Sequence, residues 1–238
     1  MEIQPDLTLC TVAGSDSQPL ARLFRSLEDT ADPVSVEIVV AETEPGAATG
    51  LADEVPGLLV LHAPGLTRLA ALNRAIRHGQ GRYTLVLDPE VLLLPGCLKR
   101  LIDYMDESPD VGLAVPRIVN GAGVTEPSAA RFPGPSAMLL GSAWPTLRDI
   151  PTQTGEIDWS DGGMYLLRRE CLEEIGPLDE SLPVWAELDL YRRAQQQGWH
   201  SSYVTEAVAM HTNPGCRLAL QRPGVCERLR CLKKRWLP

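Results

Sequence analysis

Apolar residues recur along this chain in two alternating rhythms. Continuous apolar runs at Leu7 to Val12, Val34 to Ala41, Leu58 to His62, Tyr83 to Leu87 and Val111 to Val115 predict strands buried on both faces. Between them, Leu20, Leu23, Phe24 and Leu27 recur at helical spacing, as do Leu69, Leu72 and Ile76, and then Leu98, Leu101, Ile102 and Met105. They predict helices over Pro19 to Leu27, Arg68 to His78 (with Thr67 as N-cap) and Cys97 to Met105. Strands and helices in this order predict βαβ units and a mainly parallel sheet. From Asn120 to Ile157 the periodicity fails, and the Gly, Pro and Ser content (GAG, EPS, FPGPS, AWP) predicts long loops over the sheet. Regular structure resumes after Asp161. A strand runs into a helix over Glu170 to Ile175, closed by Gly176-Pro177; a further helix spans Ala186 to Gln197, ended by Gly198; one or two short strands fill Ser202 to His211.

Sheets of this kind take ligands beyond the carboxyl ends of their strands. The run at Tyr83 breaks there into Asp88-Pro89-Glu90, two carboxylates at i and i+2, and Glu42 ends the second strand. Three acids are thereby predicted to face one crevice. Divalent Mg²⁺ and Mn²⁺ prefer oxygen ligands and leave positions open for substrate phosphates. Pro89 stiffens the turn and removes a competing backbone donor. The other reading of Asp88 and Glu90 is a strand-end turn with solvated acids.

Composition narrows the field. The 238 residues suit one α/β domain, or one with a C-terminal appendage, and 44% hydrophobic with 22% charged residues is ordinary for a globular protein. Only 5% are aromatic, so the core is expected to be Leu, Val, Ile and Ala. No apolar stretch reaches the roughly 18 residues of a membrane span, and the start, MEIQPDLTLC, predicts no secretory leader. Cys10, Cys97, Cys171, Cys216, Cys226 and Cys231 form neither a CxxC pair nor a zinc spacing, so reduced thiols and a cytoplasmic setting are expected. From Arg217 onward seven basic residues face Glu227 alone, a local +6 that leaves −15 on the remainder. An acidic body argues against nucleic acid. The basic end predicts either peripheral contact with an anionic membrane face or a solvated helical terminus.

Several segments, in order, resemble family-2 glycosyltransferases of the GT-A fold, especially their rhamnosyltransferase-like members. EIVVAET (Glu37 to Thr43) is similar to the family's EIIVVDN, GLTRLAALNRAIRHGQGRY (Gly65 to Tyr83) to the link between its third and fourth strands, and LDPEVLLLPGCLKRL (Leu87 to Leu101) to its metal-binding DxD region. GGMYLLRRECLEEIGPLDESL (Gly162 to Leu182) resembles the acceptor-side segment. WAELDLYRRAQQQGW (Trp185 to Trp199) resembles the segment bearing the catalytic acid, and His211 matches a late histidine. The likeness runs from about Leu7 to His211. It implies a Rossmann-like GT-A domain over 1–214, with a nucleotide-sugar half over 1–118, an acceptor half over 119–214 and a basic segment over 215–238.

The resemblance also implies roles. The donor would be a dTDP- or UDP-sugar, and the acceptor a saccharide or lipid-linked saccharide on the cytoplasmic side of a membrane. Asp88, Glu90 and His211 would hold Mn²⁺ or Mg²⁺, His211 otherwise reading as a packed side chain; Glu42, Arg68 and Asp88 would contact the nucleotide; Trp159, Asp161 and Trp185 would line the acceptor site or else serve loop packing. Glu187 would be the base, taking the acceptor's proton while attack from the face opposite the leaving diphosphate inverts the anomeric centre. At a helix start the dipole is expected to keep it ionised. Asp189, about 200° round the same helix, is read as structural, with Arg192 or Arg193 as partner. Arg68 also reads as a surface arginine on an amphipathic helix. The chain departs from the pattern at Thr11-Val12-Ala13, and glutamates stand at positions 42, 90 and 187 where the family carries aspartates. Each adds a methylene where geometry tolerates about 1 Å. The alternative is therefore a weakly active or inactive GT-A-like scaffold. A nucleotidyltransferase finds no basic, Gly-rich loop after the first strand.

Overall fold

The first strand, β1 (Leu7–Ala13), is buried along its whole length and pairs on both sides. In this computed structural model, residues 4–134, 148–161, 163–213 and 224–235 are described. β2 (Val36–Glu42), β3 (Leu58–His62) and β4 (Tyr83–Leu87) run parallel to β1, in the order β3-β2-β1-β4. Crossovers are made by α1 (Gln18–Thr30) and α2 (Arg68–His78), so the expected βαβ rhythm is present. α1 buries Leu20, Leu23 and Phe24 against one face of the sheet; each such side chain contributes roughly 1.5–3 kcal/mol. α2 packs Ala71, Ala75 and Ile76 on the other face, and Thr67 accepts its capping bond from the Ala70 N–H at 3.2 Å.

Beyond β4 the sheet becomes mixed. The second apolar run forms a short strand, β5 (Val91–Leu93), then α3 (Cys97–Glu107) and β6 (Val111–Asn120), longer than the sequence pattern indicated. β6 delivers the chain to the carboxyl end of the sheet. The excursion that follows contains β7 (Ala129–Ala130), β8 (Arg148–Asp149), β9 (Gly155–Glu156) and β10 (Trp159–Ser160), of which β10, β7 and β8 form a small second sheet. The FPGPS and AWP stretches fall largely outside the described residues. Because the chain re-enters from the end where β6 left it, β11 (Met164–Arg168) runs antiparallel to both neighbours, β4 and β6.

Two helices, α4 (Arg169–Ile175) and α5 (Ala186–Gln196), then lie on the α2 face. The last strand, β12 (His200–His211), is one strand rather than two, with a register shift between Val204 and Val208. It runs parallel to β6 and antiparallel to β5 and β9. α6 (Val225–Arg235) packs against α5. Cys10, Cys97, Cys171 and Cys231 are buried free thiols and Cys226 an exposed one; Cys216 lies outside the described residues. No helix among the described residues is long and apolar enough to cross a membrane.

Candidate active site

The parallel register fixes which residues meet at the carboxyl edge. Ala13 pairs with Glu42 at the end of β1 and β2, and Asp88 follows β4, two residues past the Cys10–Val86 pair. Arg68, the first residue of α2, reaches this edge because α2 follows β3 through a short loop. Its Nη2 donates to Asp88 Oδ2 at 2.9 Å. Asp88 Oδ1 accepts from the Glu90 N–H at 3.0 Å, which closes the Asp-Pro-Glu turn. From the other side Gly163, at the entrance to β11, accepts the Asp88 N–H at 2.8 Å. Gly163 has φ +74°, and a Cβ there would lie 3.3 Å from Asp88 Cβ.

Glu187 stands in the first turn of α5 and turns to the same place. Burial pushes its carboxyl up, Asp161 and Asp88 push it further, and Arg68 partly opposes them, leaving a value of about 7. The residue keeps an open edge, yet its carboxyl is densely surrounded. The sequence-based expectation of an ionised carboxylate is thus corrected: desolvation and two neighbouring acids outweigh the helix dipole. A carboxyl balanced near pH 7 is suited to accept a proton and give it up again. The buried rings of Tyr165 and Tyr191 pack edge to face at 6.0 Å, and the charge of Glu187 raises both phenols further.

The segment leading into α5 is fixed from three directions. Asn73 of α2 donates to Leu178 O (2.8 Å) and Glu180 (2.9 Å) and accepts from the Leu178 N–H (3.0 Å). Arg193 of α5 donates to the carbonyls of Ile175, Gly176 and Pro177 and to Asp189 at 2.8 Å, so Asp189 has the structural partner read from the sequence. From α6, Glu227 accepts the N–H groups of Val184 and Trp185, Arg230 donates to Ser181 O, and Lys234 pairs with Asp179. Asn73 and Glu227 escaped the sequence reading. Each carried a signal: Asn73 interrupts the apolar face of α2, and Glu227 is the lone acid of a basic segment.

Four of the expected site residues, Arg68, Asp88, Asp161 and Glu187, are brought together. Others are held elsewhere. Glu42 is buried, and its two oxygens accept from the N–H groups of Gly46, Ala48 and Thr49 (2.8–3.1 Å) and from the Thr49 hydroxyl (2.8 Å). With His62 Nδ1 at 3.2 Å, this carboxylate organises its own loop. Burial raises its pKa, but those hydrogen bonds outweigh it and leave the group below the usual carboxylate range. Trp159 and Trp185 are buried, and the Trp159 indole N–H donates to Arg131 O at 3.1 Å, so neither offers an open ring face.

Glu90 and His211 come from neighbouring backbone, since His211 pairs with Val91 and the Thr212 N–H donates to Glu90 O at 2.9 Å. Successive side chains alternate between faces. Val91 stands with Asp88 beside Gly163, whereas the Glu90 carboxylate accepts from the Thr212 hydroxyl and lies 3.6 Å from Arg22. His211 is buried with Nδ1 3.3 Å from Glu126, the backing by a carboxylate that metal-ligating histidines commonly have. Among the described residues no three His, Cys, Asp or Glu side chains gather as a ready metal site. The donor set still fits Mg²⁺ or Mn²⁺, which are commonly held by one or two carboxylates together with substrate phosphates.

A central sheet with helices on both faces and charged groups at its carboxyl edge is the architecture of GT-A glycosyltransferases, and solved structures of that fold superpose on this chain. One is the mannosyltransferase PcManGT from Pyrobaculum calidifontis in complex with GDP-Man and Mn²⁺, at TM-score 0.64 and 16% identity over 90% of this chain and 59% of that one. Another is GalNAc-T7 with UDP, GalNAc and Mn²⁺, at TM-score 0.70 and 14% identity over 97% of this chain. The present chain spans 59% and 48% of their lengths. The family model "Glycosyltransferase like family 2" matches residues 6–236, and the chain belongs to that family. It is 27% identical over 231 residues to N-acetylglucosaminyl-diphospho-decaprenol L-rhamnosyltransferase of two Mycobacterium tuberculosis strains (CDC 1551 / Oshkosh and ATCC 25618 / H37Rv), over 86% of this chain and 75% of the relative.

Proposed function

We propose that this chain is an inverting glycosyltransferase that moves a sugar from a nucleotide-sugar donor to a saccharide or lipid-linked saccharide acceptor in polysaccharide synthesis. One observation carries the reading: Glu187, with a pKa of about 7, is close enough to feel the charges of Asp161 and of the Arg68–Asp88 pair. Glu187 takes the proton from the acceptor hydroxyl, whose oxygen forms a bond to the anomeric carbon. The bond from that carbon to the diphosphate oxygen breaks on the opposite face, and its electron pair leaves with the nucleoside diphosphate. Arg68 and the N–H groups at the start of α2 receive the departing charge. A dTDP- or UDP-sugar is the donor we assign, and the relative's name supports a lipid-linked diphosphosaccharide as acceptor.

Asp88, Glu90 and His211 are the residues we assign to Mn²⁺ or Mg²⁺. Glu90 is engaged by Thr212 and Arg22 and would have to leave them to reach an ion. A bound ion supplies charge neutralisation at the diphosphate. Residues 1–118 form the donor half and 119–214 the acceptor half of this reading. Trp159 and Trp185 shape the acceptor wall from beneath, leaving Asp161 to meet a hydroxyl. The setting is the cytoplasmic face of a membrane. Arg230 and Lys234 are already engaged by the protein's own surface, which leaves residues such as the exposed Lys233 for anionic lipid.

Glu42, consumed by its own loop, favours the second reading, a weakly active or inactive scaffold of the same shape. Thermal denaturation with UDP, dTDP and GDP, each with and without Mn²⁺, separates the two. Stabilisation by one diphosphate that depends on Mn²⁺ and is lost in Asp88→Ala supports transfer. No shift with any of the three removes the enzyme reading and leaves the scaffold.

A further inference from the structure

We propose that Glu227 of α6 is a positioning residue for Glu187, so that the C-terminal helix completes the active site from outside it. This rests on the reading of Glu187 as base. The first N–H groups of a helix have no intrahelical acceptor and need one from elsewhere. α5 has Trp185 at its N-cap, and that residue makes no side-chain cap bond. From α6, Glu227 Oε1 accepts the N–H of the N-cap residue Trp185 at 2.9 Å and the N–H of Val184 just before it at 2.8 Å, fixing the entry to α5. The Trp185 N–H is shared with Leu182 O at 3.1 Å. A carboxylate here also suits the positive end of α5.

The docking is specific to one helical face. Glu227, Arg230, Cys231 and Lys234 lie at i, i+3, i+4 and i+7, the spacing of a single stripe. Glu227 and Cys231 are buried; Arg230 and Lys234 bind Ser181 and Asp179. Glu227, Arg230 and Lys234 thereby address residues 179–185, the approach to Glu187. Glu227 is absent from the charges that move the Glu187 pKa, which come from Asp161, Asp88 and Arg68. Its influence is therefore geometric. A displacement of about 1 Å at the first turn of α5 is of the size that lowers transfer rates by about two orders of magnitude.

The test compares E227A, E227D and E227Q in the full chain, with Glu187→Gln in parallel. E227A is expected to lower kcat at least tenfold per folded molecule, with donor KM within twofold of the parent and the acidic limb of the pH profile unmoved. E227Q keeps an acceptor oxygen at the same reach, so it is expected to restore kcat; E227D, one methylene shorter, falls between. Hydrogen exchange at the Val184 and Trp185 amides should speed up in E227A and stay slow in E227Q. If E227A does not fold, E227D carries the same comparison. Parent-like kcat in E227A or E227D, alongside an inactive Glu187→Gln, overturns the positioning role and leaves the base in place. Parent-like kcat in Glu187→Gln instead overturns the base, and with it the purpose given to the cap.

Discussion

Arg68 Nη2 lies 2.9 Å from Asp88 Oδ2, tying the first residue of α2 to the residue just beyond β4. Both side chains are partly open to water, so the pair contributes at most about 1 kcal/mol to stability. Its importance is electrical, because the two charges act on Glu187 in opposite directions. Removing the positive partner in Arg68→Ala should move the acidic limb of the pH–kcat profile upward. Removing the negative one in Asp88→Asn should move it downward. Both variants should also raise the donor KM. Limbs that move together, or not at all, would show that Glu187 is not the group being titrated.

Glu187→Gln gives a second, independent reading. Removing the base should lower kcat by about 10²–10⁴-fold, with nucleoside diphosphate binding retained. Stability should change the other way. The folded pKa of about 7 lies above the ordinary carboxyl value of 4.5. The carboxyl is therefore neutral in both states well below pH 4.5, and between about pH 4.5 and 7 it ionises in the unfolded chain first, so the folded state loses stability progressively over that window. Glu187→Gln should thus gain on the order of 2 kcal/mol at pH 8 and nothing near pH 4. Denaturant melts at the two pH values measure the difference.

Gly163 should tolerate no side chain. Gly163→Ala places a Cβ 3.3 Å from Asp88 Cβ at φ +74°, a conformation that costs an L-residue about 1–2 kcal/mol. Tm should fall by about 2–8 °C. Because the Asp88 N–H rests on Gly163 O, donor KM should rise as well. A variant with parent-like Tm and KM would refute this account of the turn.

Asn73 should matter more than its distance from the chemistry suggests. Asn73→Ala leaves the buried Leu178 N–H and C=O unsatisfied, at about 1–3 kcal/mol for each group. Equilibrium unfolding should show a loss in this range. Exchange at residues 178–185 should quicken selectively, since that segment loses its tie to α2.

The sequence by itself determined the elements and the edge where they meet. Strands β1 to β4, helices α1 to α3 and the break at Asp88 were legible because hydrophobic period and turn chemistry act within a few residues. From the strand alternation followed the placement of Asp88 and Glu42 at one end of the sheet. What those acids do there was decided only by tertiary structure. Glu42 is closed into its own loop, Trp159 and Trp185 are sunk in the core, and β11 enters antiparallel because the chain returns from the end that β6 reached. Glu187 is the sharpest case. The local helix dipole favours the carboxylate, whereas neighbours drawn from positions 68, 88 and 161 and the burial they share hold it near neutrality. Desolvation depends on everything packed around a group, and that assembly exists only after residues far apart in the chain have come together.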